Sequence, residues 1–197
     1  MCRADRMLDD TSGARRTGND RGRRQRGYTV LELMMTIAVI AVIAGFAAPS
    51  FLASIRANRI VTDNNEIIST LAFARSEAIK RGQRVTLCPS ADQATCATSG
   101  GWEQGWIAFL DPTGFGTVDA GEQVLRVWDG LEGTTVRAAG SFSTWVSFVG
   151  SGETRATPNN ADSFYVCGSN GDTATARTIN VGLLGHPSTQ KGAVACP

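Results

Sequence analysis

Few residues in this chain could carry chemistry, and most of them stand apart from one another. The sole histidine, His186, could act as a base, but no nucleophile motif accompanies it, and its place before Pro187 suits an exposed turn. No Gly-x-Ser-x-Gly elbow, phosphate-binding Gly-rich loop or His-Glu-x-x-His is present, so catalysis is not expected. The carboxylates Glu103 and Asp111 read as strand-edge and turn residues. Asp111 to Glu122 spans twelve residues, with Gly116 in sixth place and Asp119 in ninth, which echoes a calcium loop. Thr113 and Phe115 fill the third and fifth places, where carboxylates would be needed. Two sets of residues are more telling, the four cysteines Cys88, Cys96, Cys167 and Cys196, and the single acid Glu32.

Cys2 lies in an arginine-rich leader, so an even number of cysteines remains in the body, and four allow three connectivities. The favoured pairs are Cys88–Cys96, closing a short loop after a strand, and Cys167–Cys196, tying down a tail that would otherwise fray. There is no Cys-x-x-Cys and His186 has no nearby partner, so zinc is disfavoured and no metal or other cofactor is expected. Disulfides imply an oxidising compartment.

Glu32 sits at the edge of a run, Leu33 to Ile55, of 23 residues without a charge. That run is long enough to cross a hydrocarbon core of about 30 Å as a helix. An ionisable side chain there is costly and points to a function. The charge distribution orients the segment. Of the 197 residues, the first 27 hold eight Arg and four Asp, a net of +4, and the remainder holds eleven basic and fourteen acidic side chains, a net of −3. Basic residues stay on the cytoplasmic side, so the chain beyond Ile55 should lie outside the cytoplasm. The mildly acidic body lacks the positive surface that non-specific DNA binding requires.

Beyond Arg56, apolar residues recur at Ile60, Ile67, Leu71, Ala74 and Ala78, one face of a helix. Arg75, Lys80 and Arg81 fall toward its end, and Gly82 suits a helix stop. A continuous helix from Tyr28 to Arg81 would be on the order of 80 Å long. Its first half, 28–55, would lie in the membrane, and its amphipathic half, 56–82, would pack on a β-domain, 83–197. In that domain the period falls to two. Strands are expected at Arg84–Cys88, Trp106–Leu110, Val124–Trp128, Thr134–Ala138, Trp145–Val149, Phe164–Cys167 and Thr178–Leu183. Turns at Gly150-Ser151-Gly152 and Ser169-Asn170-Gly171 suit hairpins. The fold class expected is α+β, one long helix on an antiparallel sheet of six or seven strands.

The stretch Gly27-Tyr28-Thr29-Val30-Leu31-Glu32-Leu33-Met34 resembles the class III signal of type IV pilins and type II secretion pseudopilins, with Tyr28 in place of the usual Phe. Cys88-Pro89-Ser90, Cys96, the run Trp102 to Asp111, Val146–Gly152 and Ala176–Gly185 narrow the resemblance to the GspH/FimT minor pilins and pseudopilins. The resemblance implies a leader, 1–27, removed by prepilin peptidase after Gly27, and N-methylation of Tyr28. It implies that Glu32 sets register and recruitment by meeting a neighbour's N-terminal amine, and that Pro49 distorts the helix. The implied partners are the peptidase, other major and minor pilins or pseudopilins, an inner-membrane assembly platform and membrane lipid. The implied place is a single-pass inner-membrane protein with its C-terminal domain in the periplasm, later part of a filament serving type IV pilus assembly or type II secretion. DNA-uptake members carry a Gly-Arg-x-Arg turn, whereas Gly185-His186-Pro187-Ser188 stands here and only Lys191 comes after it, so DNA is not expected as a partner. Two plainer readings compete, an uncleaved signal-anchored binding domain with Glu32 reaching to the interface, and a secreted protein cut near Gly45-Phe46-Ala47-Ala48.

Overall fold

The computed structural model describes residues 27–155, 162–169, 171–192 and 196; side chains 47–49 are left aside. Residues 1–26 of the leader therefore lie outside the described residues, Cys2 among them, and so does Asn170 of the second hairpin signal. The long helix α1 runs Val30–Arg81. By internal contacts the chain falls into two compact units, one ending at Gly45 and one beginning at Phe46.

In the first unit α1 carries one charge, Glu32 in its first turn, and beyond it is apolar on every side. Val30, Leu31, Met34, Met35, Ile40 and Ile43 are all exposed. Such a helix is stable only where something apolar surrounds it. It is long and apolar enough to cross a membrane.

In the second unit the helix is one-sided. Ile60, Ile67, Leu71, Ala74 and Ala78 are buried, the stripe that the sequence spacing marks out. Gly82 ends the helix in the left-handed region, at φ +64°. Its N–H donates to the Ile79 carbonyl at 3.3 Å and the Gln83 N–H donates to the Ala78 carbonyl at 3.3 Å. This satisfies carbonyls that a helix end leaves open.

Beyond the helix there are two antiparallel sheets rather than one. The first has five strands, β1 (Val85–Pro89), β2 (Trp106–Leu110), β3 (Val124–Trp128), β5 (Val146–Phe148) and β6 (Thr154–Arg155), ordered β3-β2-β1-β5-β6. The second has four, β4 (Thr134–Ala138), β7 (Asp162–Gly168), β8 (Arg177–Val181) and β9 (Pro187–Lys191), ordered β4-β7-β8-β9. The sheet count differs from the sequence expectation because β4 pairs with β7 and not with its neighbour β3. Alternation marks a strand but says nothing of its partner. The expected strands also omit β6, which is only two residues long, and β9, which is polar, opens with a proline and lies exposed at the sheet edge.

The main core lies between α1 and the sheets. Trp106 and Ala108 of β2 face it, and the Trp106 Nε1–H donates to Thr70 Oγ1 of α1 at 3.1 Å. The opposite face of β2, Ile107 and Phe109, forms a smaller cluster with Cys88. A sheet covered on both faces explains why Trp106–Phe109 is buried without interruption.

Candidate functional site

The start of α1 gathers the residues that the sequence singles out. Gly27, Tyr28 and Thr29 precede the helix, and Tyr28 is 84% exposed. Thr29 caps it: the Glu32 N–H donates to Thr29 Oγ1 at 3.2 Å, and the Leu33 N–H donates to the Thr29 carbonyl at 3.2 Å. A Thr with a Glu three residues on is a helix-start signature, a signal in the sequence that the motifs considered there did not include. The cap has a consequence for processing chemistry. Every residue that starts the helix lies after Gly27, so a cut at the Gly27–Tyr28 bond leaves the helix start whole. Gly27 is exposed, with nothing within 4 Å of where its Cβ would stand. A protease needs such access to backbone.

The Glu32 carboxylate is exposed at the third position of the helix. There it lies at the positive end of the helix macrodipole, which favours a negative charge. Its backbone N–H is held by Thr29, so the carboxylate itself is left to face outward. Position 49 lies within α1, whose helical assignment continues through it.

Both cysteine pairs are joined, Cys88 to Cys96 and Cys167 to Cys196. The first closes the loop after β1. There the Asp92 carboxylate accepts from Thr95 Oγ1 at 2.6 Å and from the Thr95 and Ala94 amides at 2.8 and 3.0 Å. These bonds, the Thr95 hydroxyl foremost, hold its pKa well below the usual carboxylate range. The second ties the C-terminal tail to β7, a strand in the middle of its sheet.

The acidic loop after β2 is built around its own donors. Asp111 is fully buried and accepts from Thr86 Oγ1 at 2.7 Å, from the Gly116 N–H at 3.1 Å and from the Gly114 N–H. Thr113 Oγ1 lies 3.1 Å from Asp111 Oδ1, 3.2 Å from Asp119 Oδ2 and 3.5 Å from Glu122 Oε1. Asp111 therefore works as the organiser of this loop. Glu103 is likewise engaged, accepting from Arg137 and from the Val136 N–H. His186 is exposed between β8 and β9. Among the described residues no three His, Cys, Asp or Glu side chains converge as a metal set would.

A long helix leading into antiparallel sheets is the architecture of type IV pilins. Two crystal structures of the type IV minor pilin FimU of Pseudomonas aeruginosa share the fold. One matches with a TM-score of 0.55 and 21% identity over 71% of this chain and 96% of that one. The other matches with a TM-score of 0.51 and 22% identity over 68% and 96%. The chain belongs to the GspH family, described as type II transport protein GspH, whose model matches residues 63–185. The prokaryotic N-terminal methylation motif matches residues 22–48 and so contains Gly27, Tyr28 and Glu32. None of the curated proteins matches the chain. It is thus a pilin or pseudopilin by fold and family, a structural class rather than an enzymatic one.

Proposed function

We propose that the chain is a minor pilin or pseudopilin precursor. Prepilin peptidase cuts it after Gly27, the new amine of Tyr28 is N-methylated, and the processed chain enters a filament through α1. The C-terminal unit lies on the periplasmic side of the inner membrane. The observation that carries this reading is the first unit of α1, apolar and exposed all round, which begins at a cap untouched by the cut. Bilayer surrounds that surface first, and neighbouring α1 helices surround it after assembly.

In such a helix bundle the Glu32 carboxylate meets the amine of an adjacent Tyr28. An unpaired charge in a low-dielectric core is strongly destabilising, on the order of 3–5 kcal/mol when one partner of a buried pair is removed. The pair therefore selects one register among the many that apolar packing alone would allow. Position 49 gives α1 its local distortion, since a proline there supplies no N–H to the helix ladder. The same chemistry serves a type IV pilus and a secretion pseudopilus. The minor-pilin fold neighbours lean toward the first and the family description toward the second.

The test is Glu32→Ala in the native host. Folding and disulfide formation should match wild type, while the amount recovered in sheared filaments should fall at least tenfold. Wild-type recovery of the variant would remove Glu32 from the assembly step.

A further inference from the structure

Over the smaller cluster of the first sheet there is a cleft of about 350 Å³. That size falls among small-ligand sites, which run from roughly 300 to 1,000 Å³. The loop closed by Cys88–Cys96 supplies Thr98, the loop after β2 supplies Phe115, Gly116 and Thr117, and the approach to β5 supplies Thr144 and Trp145. All of its lining residues are uncharged. Trp145 is half-buried and packs on the cluster of Cys88, Ile107 and Phe109. Phe115 is 73% exposed. It stands between Gly114 and Gly116, whose N–H groups both donate to the buried Asp111 carboxylate, so the loop backbone is held inward while the ring stands in solvent. A Cβ at Gly116 would overlap the Trp145 ring, so only glycine lets the loop lie against it. Hydrogen-bonding capacity is left over as well. Thr98, Thr117 and Thr144 are exposed, and their hydroxyls make no hydrogen bond among the described residues. The Trp145 Nε1–H makes none either, whereas Trp102 donates to the Phe142 carbonyl at 2.9 Å and Trp106 to Thr70. Among the described side chains only Asn64 Oδ1 is buried without a partner, so the Trp145 N–H opens to solvent.

The geometry points to a binding site for a neutral glycan, with a pyranose ring against Phe115 and Trp145 and its hydroxyls paired with the threonines and the indole N–H. The electron-rich faces of the two rings attract the C–H face of a sugar. An uncharged lining offers no counter-ion to a phosphate or a carboxylate, so the ligand it matches is itself uncharged. Threonine hydroxyls both donate and accept, as sugar hydroxyls do. The competing occupant is an extended peptide, which pairs with an open sheet edge. Here the cleft lies over β1 and β2, and both are interior strands of their sheet. The disulfide and the buried Asp111 hold the two loops before any ligand arrives, which lowers the ordering cost of binding. The site goes beyond the filament reading and does not depend on it.

The test uses the full chain in a detergent without a sugar headgroup. It is titrated with the N-acetylglucosamine tetramer, with cellotetraose and with an uncharged peptide of Ser, Thr and Phe, and binding is read by ligand-observed NMR. The expected result is saturable binding of at least one tetrasaccharide, and the preference between the two shows whether the N-acetyl group is read. Phe115→Ala and Trp145→Phe should each weaken that binding about tenfold. Phe115 is exposed, so its variant should keep the wild-type thermal midpoint, which separates lost contact from lost fold. Three results would overturn the site: no saturable binding of either sugar, a sugar affinity unchanged in Phe115→Ala, or tighter binding of the peptide than of both sugars. Processing at Gly27 does not enter the measurement, so each of these leaves the pilin reading intact.

Discussion

At the scale of single residues, the start of α1 separates two roles that one position could have confused. Thr29 holds the Glu32 backbone, and the Glu32 side chain has no hydrogen-bond or ion-pair partner among the described residues. Glu32→Gln should therefore keep the helix start and lose only the charge. Thr29→Ala should do the reverse and weaken the first turn by about 1 kcal/mol. Circular dichroism of the full chain in detergent, compared with filament incorporation, distinguishes the two. Gly27→Leu should leave the precursor uncut, because a bulky side chain blocks close approach to the backbone; normal processing of that variant would misplace the cut. Asp111 gives a purely structural prediction. Asp111→Ala strips a buried acceptor from Thr86, Gly114 and Gly116, and should lower unfolding stability by about 3 kcal/mol, read from a urea midpoint.

At the scale of elements, the legible part of the sequence was the part that short-range pattern encodes. The stripe Ile60 to Ala78 and the stop at Gly82 arise from helical period and from a backbone conformation that suits glycine. The strands Trp106–Leu110, Val124–Trp128 and Thr134–Ala138 coincide with those observed. The division into two sheets was not legible, because β4 finds β7 across more than twenty residues of chain. Nor was β9 legible: its side chains are Ser188, Thr189, Gln190 and Lys191, and its order comes from hydrogen bonds to β8. The charge environment of Glu66 was hidden for the same reason, since Arg126 and Asp129 come from a distant strand and the loop after it. That environment has a pH signature. Burial first, then Asp63, raises the Glu66 pKa above its ordinary 4.5, so the fold binds its proton more tightly than the unfolded chain does. Stability of the unassembled protein should therefore fall as pH rises through that interval. Glu66→Gln should stabilise it at pH 7 and make no difference well below pH 4.5. Thermal melts of the full chain in detergent at both pH values check this. The two disulfides differ in reach, 8 residues against 29. Loop entropy assigns them about 2.5 and about 3.6 kcal/mol. Replacing Cys167 and Cys196 with serine should thus lower the denaturation midpoint more than replacing Cys88 and Cys96.

At the scale of the whole molecule, the chain joins two surfaces with different demands. One is an apolar helix segment that must be surrounded, and the other is a β-domain locked by two disulfides and a buried aromatic core. A subunit of a membrane-born filament needs both, the first to be held in the bilayer and then in the bundle, the second to persist outside the cytoplasm. Every role proposed for α1 depends on the leader being removed at one bond. The deciding measurement is the mass of the N-terminal peptide of the protein extracted from its native membranes. The expected chain begins with N-methylated Tyr28. A chain that keeps residues 1–27, or one that begins near Ala48, would contradict the filament reading.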